Sequence, residues 1–294
     1  MPLLRLLKRL PYPRFSPEKM DALREASNVN SAGFDPWGLH LETAERTVGY
    51  AQWAYRNYFK VRVHGIEKVP KGRVLLVPNH GGQLPLDGFF IGLSMVLDSP
   101  EPRVVRGMVE RWFPTLPFVS TLFTRCGQVV GDPENCVALL ERDQTILVFP
   151  EGTGGSGKTW WHRYRLQRFG TGFVRIALQT GAPIVPVAVI GAEETYPAVY
   201  NAKSLARLMG APYAPVTPFF PLLGPLGAIP LPVQVDLHFG DPITVSGNYD
   251  GADDEIQGEV DRVHDTLQTL IDEGLERRPD LKKLDRFVSW RHSL

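Results

Sequence analysis

The spacing of hydrophobic residues along the chain predicts strands that alternate with helices. Short apolar and often β-branched runs predict seven strands, at residues 61–66, 73–78, 103–108, 127–130, 145–149, 184–190 and 233–239. Stretches between several of them predict helices, at residues 88–97, 134–142 and 171–181. This alternation predicts an α/β fold, in which a layered, largely parallel or mixed sheet is flanked by helices.

Longer helical patterns lie at both ends of the chain. Apolar residues recur at helical spacing through residues 42–59, and again through residues 254–278, where they predict a long amphipathic helix packed on the sheet. The predicted organisation is an N-terminal helical segment at 1–60 with possible membrane contact, a central catalytic domain at 61–250 and C-terminal helices at 251–294 that pack on the same domain.

One long segment carries no charge. From Leu208 to Val235 no charged residue occurs, a length that in principle spans a bilayer. Seven prolines lie within it, and proline removes backbone donors and breaks helices. We therefore predict a stiff apolar loop and no transmembrane helix. Its part at 218–232 either enters lipid or folds over the protein's own core.

Composition excludes some classes of function. The 32 basic and 32 acidic residues cancel, so no global charge favours nucleic acid as a partner. Two cysteines do not make a disulfide framework or a metal cluster, which favours a reducing environment. Residues 1–10 interleave leucine with Arg and Lys, unlike the unbroken apolar core of a signal peptide. This segment lies on an anionic membrane surface, docks on the protein as a helix, or is a frayed end.

A histidine and an acid follow the second predicted strand. Asn79 and His80 come directly after the apolar run, Gly81 and Gly82 come next, and Asp87 lies farther along. Glycines let the chain turn sharply and let a substrate approach the backbone. An imidazole whose tautomer is fixed by a carboxylate is a competent base near neutral pH. The pair is a candidate for removing a hydroxyl proton, and Asp87 also suits the start of the following helix.

A second polar turn follows the fifth predicted strand. Glu151, Gly152 and Thr153 offer a carboxylate, backbone N–H groups and a hydroxyl at close quarters, which together with the histidine turn suggests acyl transfer to a hydroxyl. The same turn opens a competing pattern. Residues 152–159, including Lys158, satisfy the phosphate-binding spacing G-x-x-x-x-G-K-[ST] after a strand. Loss of nucleotide binding in Lys158→Ala would identify a nucleotide site.

The order of these motifs resembles that of a known enzyme family. His80 with Asp87, then the residues at 149–153, and then the apolar strand at 184–187 follow one another as in the glycerolipid acyltransferases. These are the PlsC-type lysophosphatidate acyltransferases and their relatives, and the resemblance extends over roughly residues 60–245. It implies an acyl donor on coenzyme A or acyl carrier protein, a glycerol-based acceptor hydroxyl, and a membrane-surface enzyme without a metal or other cofactor.

The resemblance also implies roles for individual residues. His80 would be the general base, Asp87 would orient it, and Glu151 with Gly152 would shape the acceptor site. The other candidate substrate-binding residues are Asn79, Gly81, Gly82, Thr153, Lys158, Arg125 and Arg168.

Two departures from the family pattern matter. Six residues separate His80 from Asp87 where the family has four, so this insert must fold back if the pair is to meet. Gly154 stands where the family often has an arginine that grips the acceptor phosphate. Either another basic residue replaces that arginine, or the acceptor has no phosphate at that place. The candidate replacements are Arg106, Arg125, Lys158, Arg163, Arg165 and Arg168.

These observations predict a peripheral, monotopic acyltransferase on the cytoplasmic face of a membrane. It would move a fatty acyl group from acyl-CoA or acyl carrier protein to a lysophospholipid-like acceptor, with lysophosphatidate as the first choice. Three alternatives stay open at this point. One is a non-phosphorylated lipid acceptor, and another is a nucleotide-binding protein. The last is a non-catalytic lipid-binding module whose His80 and Asp87 lie too far apart to act.

Overall fold

The computed structural model describes residues 11–81, 85–110, 119–152, 160–201, 215–219 and 222–281. The strands in these ranges are β1 (Arg62–His64), β2 (Val74–Pro78), β3 (Arg106–Val109), β4 (Val129–Val130), β5 (Thr145–Leu147), β6 (Ile184–Ile190), β7 (Tyr200–Asn201), β8 (Pro215–Val216) and β9 (Asp236–Phe239). The α-helices are α1 (Pro17–Ser27), α2 (Leu41–Trp53), α3 (Leu86–Leu97), α4 (Val119–Arg125), α5 (Pro133–Leu140), α6 (Gly172–Thr180), α7 (Ala192–Thr195) and α8 (Asp253–Glu276).

Seven strands form one mixed sheet in the order β1-β9-β6-β2-β5-β3-β4. Five consecutive strands of this sheet, β6, β2, β5, β3 and β4, run parallel to one another. The strand β9 runs antiparallel to β6 and parallel to β1. Each predicted strand overlaps one strand of this sheet, so the predicted α/β fold with a largely parallel or mixed sheet is confirmed. The strands β7 and β8 form a separate antiparallel pair.

Both faces of the sheet are covered, because alternate residues of each strand enter opposite cores. Val74 and Leu76 of β2 pack with α3 and the end of α2, while Leu75 and Val77 pack with α5, α6 and α8. All seven residues of β6 are buried. This burial on two sides explains why the central strands read as continuous apolar runs in the sequence.

The N-terminal part contains more than the sequence pattern predicted. The helix predicted at 42–59 is α2 followed by a π-helical turn, Ala54–Tyr58. The helices α1 and α4 had no prediction, because α1 buries only Leu23 and Ser27, and α4 buries none of its residues. Without a buried apolar stripe a helix leaves little periodic signal. The predictions for residues 1–10 and 282–294 lie outside the described residues.

The uncharged segment at 208–235 is described from Pro215 to Phe219 and from Leu222 onward. It contributes β8, a short 3-10 turn at Gly224–Ala228 and an extended stretch that leads into β9. Within the described ranges, none of the helices has both the length and the apolar character needed to span a membrane.

The direction of the strands places several loops at one edge of the sheet. The parallel strands β2, β5 and β6 end at this edge, and because β9 and β1 run the other way they begin there. In α/β sheets, ligands bind outside the carboxyl ends of the strands. We call this the site edge, since the polar turns that follow β2 and β5 both lie on it.

Candidate active site

His80 and Asp87 meet despite the longer spacing between them. The Nδ1 atom of His80 lies 3.2 Å from the Oδ2 atom of Asp87. A carboxylate only accepts hydrogen bonds, so Nδ1 carries the proton and Nε2 is left unprotonated in the neutral ring. A side chain with these features is a candidate base, with Asp87 as the group that orients it. The alternative in which the pair is too far apart to act is therefore wrong.

The Asp87 carboxylate is held by backbone groups as well. Oδ2 also accepts from the Gly81 N–H at 2.9 Å, and Oδ1 accepts from the Gly88 N–H at 2.7 Å. Asp87 is the second residue of α3, where an acidic side chain is stabilised by the helix dipole. The side chain of Asp87 is buried, whereas 16% of the His80 side chain is exposed. The Asp87 carboxylate is thus fixed, and the His80 ring stays accessible.

Glu151 joins the turn after β5 to the turn after β2. Its Oε1 atom accepts from the His80 N–H at 3.0 Å, and Oε2 accepts from the Gln167 N–H at 2.9 Å. Phe149, from the same turn, stacks on the His80 ring with centroids 4.1 Å apart and planes inclined by 10°. The Glu151 turn therefore fixes both the backbone and the ring of the candidate base.

Asn79 fixes the other side of the histidine loop. Its side chain is fully buried, donates to the Val189 carbonyl at 3.2 Å and accepts from the Val189 N–H at 2.8 Å. The amide continues the pairing of β2 with β6 past Pro78. The structure thus gives Asn79, predicted as a substrate-binding residue, contacts that position the loop.

The two glycines that the structure describes at the site use their own N–H groups within the protein. Gly81 donates to Asp87, and Gly152 donates to the Phe149 carbonyl at 3.1 Å. Gly152 has a left-handed φ of 56°, which favours glycine in this turn. These glycine turns are candidate sources of backbone donors to an oxyanion. The N–H groups of Gly81 and Gly152 are already engaged.

A buried polar network lies next to the site and includes the block at 191–194, to which no role could be assigned from the sequence. The Tyr164 hydroxyl donates to Oε2 of Glu194 at 2.5 Å. The oxygen of the same hydroxyl accepts from the Gly191 N–H at 2.9 Å. Its own N–H donates to Oε1 of Glu193 at 3.1 Å. The Arg163 guanidinium lies 3.2 Å from Glu194. Two adjacent acids after an apolar strand were the available signal.

Burial dominates the protonation of this network. Because Tyr164 and Glu194 are removed from water, the pKa of the Tyr164 hydroxyl lies well above its usual range, and the charge of Glu194 adds to this shift. Burial also raises the pKa of the Glu194 carboxyl, against the hydrogen bond from Tyr164 and the charge of Arg163. The network fixes the chain at Tyr164, three residues before the N–H that binds Glu151.

The remaining predicted site residues divide into three groups. Arg168 is exposed and directly follows Gln167, whose N–H binds Glu151. Arg125 is exposed and is the last residue of α4, which precedes β4. Because β4 is parallel to its neighbour β3 and begins away from the site edge, Arg125 lies at the end of the strands opposite the site edge. The others, Gly82, Thr153 and Lys158, lie outside the described residues, as does most of the competing phosphate-binding pattern.

The residues that the structure describes contain no cluster of three or more His, Cys, Asp or Glu side chains able to hold a metal ion.

Comparisons with known proteins agree with the motifs. A family model described as Acyltransferase matches residues 60–190, which include both turns of the site. The uncharacterized protein Rv0502 of Mycobacterium tuberculosis is 39% identical over 249 residues, which cover 83% of this chain and 68% of that protein. The chain thus spans about two thirds of this relative's length.

More distant relatives have descriptive names. The human "DGAT1/2-independent enzyme synthesizing storage lipids" is 24% identical, over 71% of this chain and 60% of its own length. The "1-acyl-sn-glycerol-3-phosphate acyltransferase" of Limnanthes alba is 29% identical, over 49% of each chain. The crystal structure of the 1-acyl-sn-glycerophosphate acyltransferase PlsC from Thermotoga maritima gives a TM-score of 0.48 at 20% identity, over 80% of this chain and 81% of that chain. From the family model and the mycobacterial relative, the chain belongs to the acyltransferase family of the PlsC type.

Proposed function

We propose that the protein transfers a fatty acyl group from acyl-CoA or acyl carrier protein to the hydroxyl of a lysophospholipid-like acceptor, of which lysophosphatidate is the first candidate. The proposal places this reaction at a membrane surface. The observation that carries it is the 3.2 Å contact between His80 Nδ1 and the buried Asp87 carboxylate. That contact leaves Nε2 as the base, which is the group that an attacking hydroxyl requires.

The proposed reaction starts with proton transfer. His80 Nε2 takes the proton of the acceptor hydroxyl while the hydroxyl oxygen attacks the thioester carbonyl carbon. The carbonyl oxygen becomes an oxyanion, and the ring becomes an imidazolium. Asp87 faces the protonated Nδ1 side of the ring and stabilises this charge.

The tetrahedral intermediate then collapses. The carbon–sulfur bond breaks, the ester carbonyl forms, and the imidazolium returns its proton to the leaving thiolate. His80 ends as the neutral base from which it started, so a single residue serves both steps. Acid–base catalysis of this kind contributes about 10²–10⁴-fold to the rate.

The oxyanion needs donors that are not already engaged. Gly81 and Gly152 are excluded from this role, since their N–H groups bind Asp87 and the Phe149 carbonyl. The proposal assigns the oxyanion to the N–H groups that follow each glycine, at Gly82 and Thr153. Preorganised donors of this type each contribute about 2.7–4 kcal/mol to the transition state in other acyl transfer enzymes.

The proposal also specifies a phosphate group on the acceptor and a residue that binds it. The name of the Limnanthes relative specifies a phosphate-bearing acceptor, whereas the name of the human relative refers to storage lipids. Of the arginines predicted to replace the family's phosphate ligand, Arg168 adjoins the residue that binds Glu151, and Arg125 lies at the opposite end of the strands. We therefore propose Arg168 and withdraw Arg125 as a phosphate ligand.

The reaction is tested by acceptor-dependent release of coenzyme A from a long-chain acyl-CoA in detergent micelles. Lysophosphatidate is expected to support release and monoacylglycerol to support less, with the acylated product identified by mass. Release with monoacylglycerol alone would establish acyl transfer but reject the phosphate-bearing acceptor. If neither acceptor supports release, and acyl carrier protein as donor also gives none, the proposed function is wrong.

Arg168 and Arg125 form a matched pair for the phosphate site, since both are exposed arginines. We predict that Arg168→Ala raises KM for lysophosphatidate about tenfold, as expected for loss of one hydrogen bond to a charged group. The kcat of this variant should change little, and Arg125→Ala should have the KM of the wild type. Equal KM values in both variants would exclude Arg168 as a phosphate ligand.

A further inference from the structure

We propose that residues 222–232, here named the apolar tip, dock the protein on a lipid bilayer, together with an exposed basic pair, Lys60 and Arg62. This inference deepens the proposed function by assigning the surface that meets the lipid. It rests on that function only for the benefit to catalysis, because binding to lipid is measured without any turnover.

The apolar tip exposes large aliphatic side chains close together in the sequence. The exposed fractions are 83% for Leu222, 58% for Leu223, 71% for Leu226 and 54% for Ile229. Single exposed apolar residues are normal on a protein surface, whereas a group of them indicates an interaction site. These four side chains lie within eight residues of each other.

The composition of the tip favours lipid over a protein as the partner. No charged residue occurs between Leu208 and Val235, which suits contact with an uncharged hydrocarbon layer. Proline at positions 225, 230 and 232 removes backbone donors that would be unsatisfied in lipid. Protein–protein interfaces are instead enriched in aromatic residues and arginine. The exposed side chains of the tip are aliphatic.

The base of the tip is attached to the site edge. The Leu231 N–H donates to the carbonyl of Thr195 at 2.6 Å, and Thr195 ends the short helix α7 that follows β6. The Tyr58 hydroxyl donates to the Pro230 carbonyl at 2.8 Å. The tip then continues into β9, which begins at the site edge. It is therefore fixed to the same edge of the sheet as His80.

The basic pair lies at this edge too. Arg62, the first residue of β1, is in register with Asp236, and Asp236 is in register with Ile190 at the end of β6. Lys60 and Arg62 are both exposed. Asp236 does not neutralise them, because it is buried and pairs with Arg278 at 2.6 Å. Exposed cations beside an apolar surface suit anionic headgroups above a hydrocarbon layer.

The test is co-sedimentation of the full-length protein with vesicles of phosphatidylcholine and phosphatidylglycerol. The double variant Leu222→Ser/Leu226→Ser is expected to bind at least about tenfold more weakly than the wild type, because two apolar side chains are lost. The control is Tyr249→Ser. Tyr249 is 42% exposed but lies past the opposite end of β9, so this variant should bind as the wild type does.

The basic pair predicts that vesicle binding depends on the charge of the lipid. Lys60→Gln/Arg62→Gln should weaken binding to the anionic vesicles and leave binding to pure phosphatidylcholine unchanged. Wild-type vesicle binding by the Leu222→Ser/Leu226→Ser variant would overturn the proposal. If the same variant also changes its oligomeric state, measured by light scattering without lipid, the tip contacts a second protein chain and not a bilayer.

The proposed function is separated from this inference by a soluble substrate. A short-chain acceptor below its critical micelle concentration needs no membrane docking, so the tip variant should acylate it at the wild-type rate. Wild-type activity on this acceptor with weakened vesicle binding supports the docking surface. An equal loss of activity on dissolved and membrane-bound acceptors would contradict it. Absence of activity in the wild type would instead count against the proposed reaction.

Discussion

The Asp87 carboxylate at the candidate site accepts from three donors at once. These are the His80 ring and the N–H groups of Gly81 and Gly88. The Gly81 contact connects the start of α3 to the histidine turn, so the pair meets despite the longer spacing. Sequence spacing alone does not reveal this, because a contact between side chain and backbone has no fixed residue signature.

Gly81 lies where the site leaves little room for a side chain. A Cβ atom there would lie 2.7 Å from the Cβ atom of Ala192, and 3.4 Å from that of Asp87. We predict that Gly81→Ala lowers the free energy of unfolding by about 1–3 kcal/mol, as overpacking does, and also lowers kcat. Chemical denaturation and the coenzyme A release assay measure the two effects.

A second substitution, at Ala192, tests whether this contact causes the losses expected in Gly81→Ala. Ala192→Gly removes the atom that an alanine at position 81 would meet. The double variant Gly81→Ala/Ala192→Gly should therefore recover much of the lost stability and activity. If the double variant is as impaired as Gly81→Ala, the contact with Ala192 is not the reason that glycine is needed here.

At the scale of elements, the site is assembled from segments that follow β2, β5 and β6. Glu151 binds the N–H groups of His80 and Gln167, and so connects the histidine turn to the segment at 163–167. Tyr164 connects that segment to Glu193 and Glu194 after β6. Three loops are thus fixed to one another by buried carboxylates.

The Tyr164 hydroxyl connects two of these loops and can be removed by a single substitution. In Tyr164→Phe, the Glu194 carboxylate loses a donor and the Gly191 N–H loses its acceptor, both in a buried place. We predict a loss of about 1–3 kcal/mol in the free energy of unfolding. Tyr249→Phe, at an exposed tyrosine, should change it by less than about 0.5 kcal/mol. Equal stability of both variants would show that the network does not hold the loops.

The elements that the sequence predicted well are those with a buried apolar pattern. The strand β6 and the helix α8 are buried along their length or along one stripe, and both appear close to their predicted bounds. The site was predictable to the extent that its residues directly follow such strands, as His80 and Glu151 do. The partners of Glu151 and Tyr164 were not, because pairs far apart in the chain are brought together only by the fold.

At the scale of the whole molecule, stability is expected to depend on the protonation of His238. Its ring is buried on β9, stacks on His64 with centroids 4.5 Å apart and packs against Gly274 of α8. Burial lowers the pKa of His238 from 6.5 to about 4, and the charge of His64 acts in the same direction, while Asp236 opposes it. The folded protein therefore keeps this ring neutral in mildly acidic solution.

The sign of the pH dependence follows from this shift. As pH falls from 6.5 to about 4, the unfolded chain binds a proton at His238 that the folded chain does not bind. Acid therefore favours the unfolded state. We predict a loss of about 1–2 kcal/mol in the free energy of unfolding between pH 7 and pH 5 from this group. In His238→Phe the pH dependence over this range should be flatter, as measured by denaturation at each pH.

A histidine on the surface is the control for this prediction. His264, on α8, is 30% exposed, lies 3.1 Å from Asp265 and packs edge-on against the Phe169 ring. His264→Phe should keep the wild-type dependence on pH. A wild-type slope in His238→Phe as well would mean that other groups determine the loss of stability in acid.

The proposal that His80 is the base of an acyl transfer reaction can be tested directly. The direct measurement is lysophosphatidate-dependent release of coenzyme A by the wild type, His80→Ala and His264→Ala, with folding verified by circular dichroism. Both substitutions remove an imidazole that lies beside an aspartate, but only His80 belongs to the turn after β2. We predict that His80→Ala lowers the rate by about 10²–10⁴-fold and that His264→Ala retains it. A folded His80→Ala variant with the wild-type rate would contradict the account.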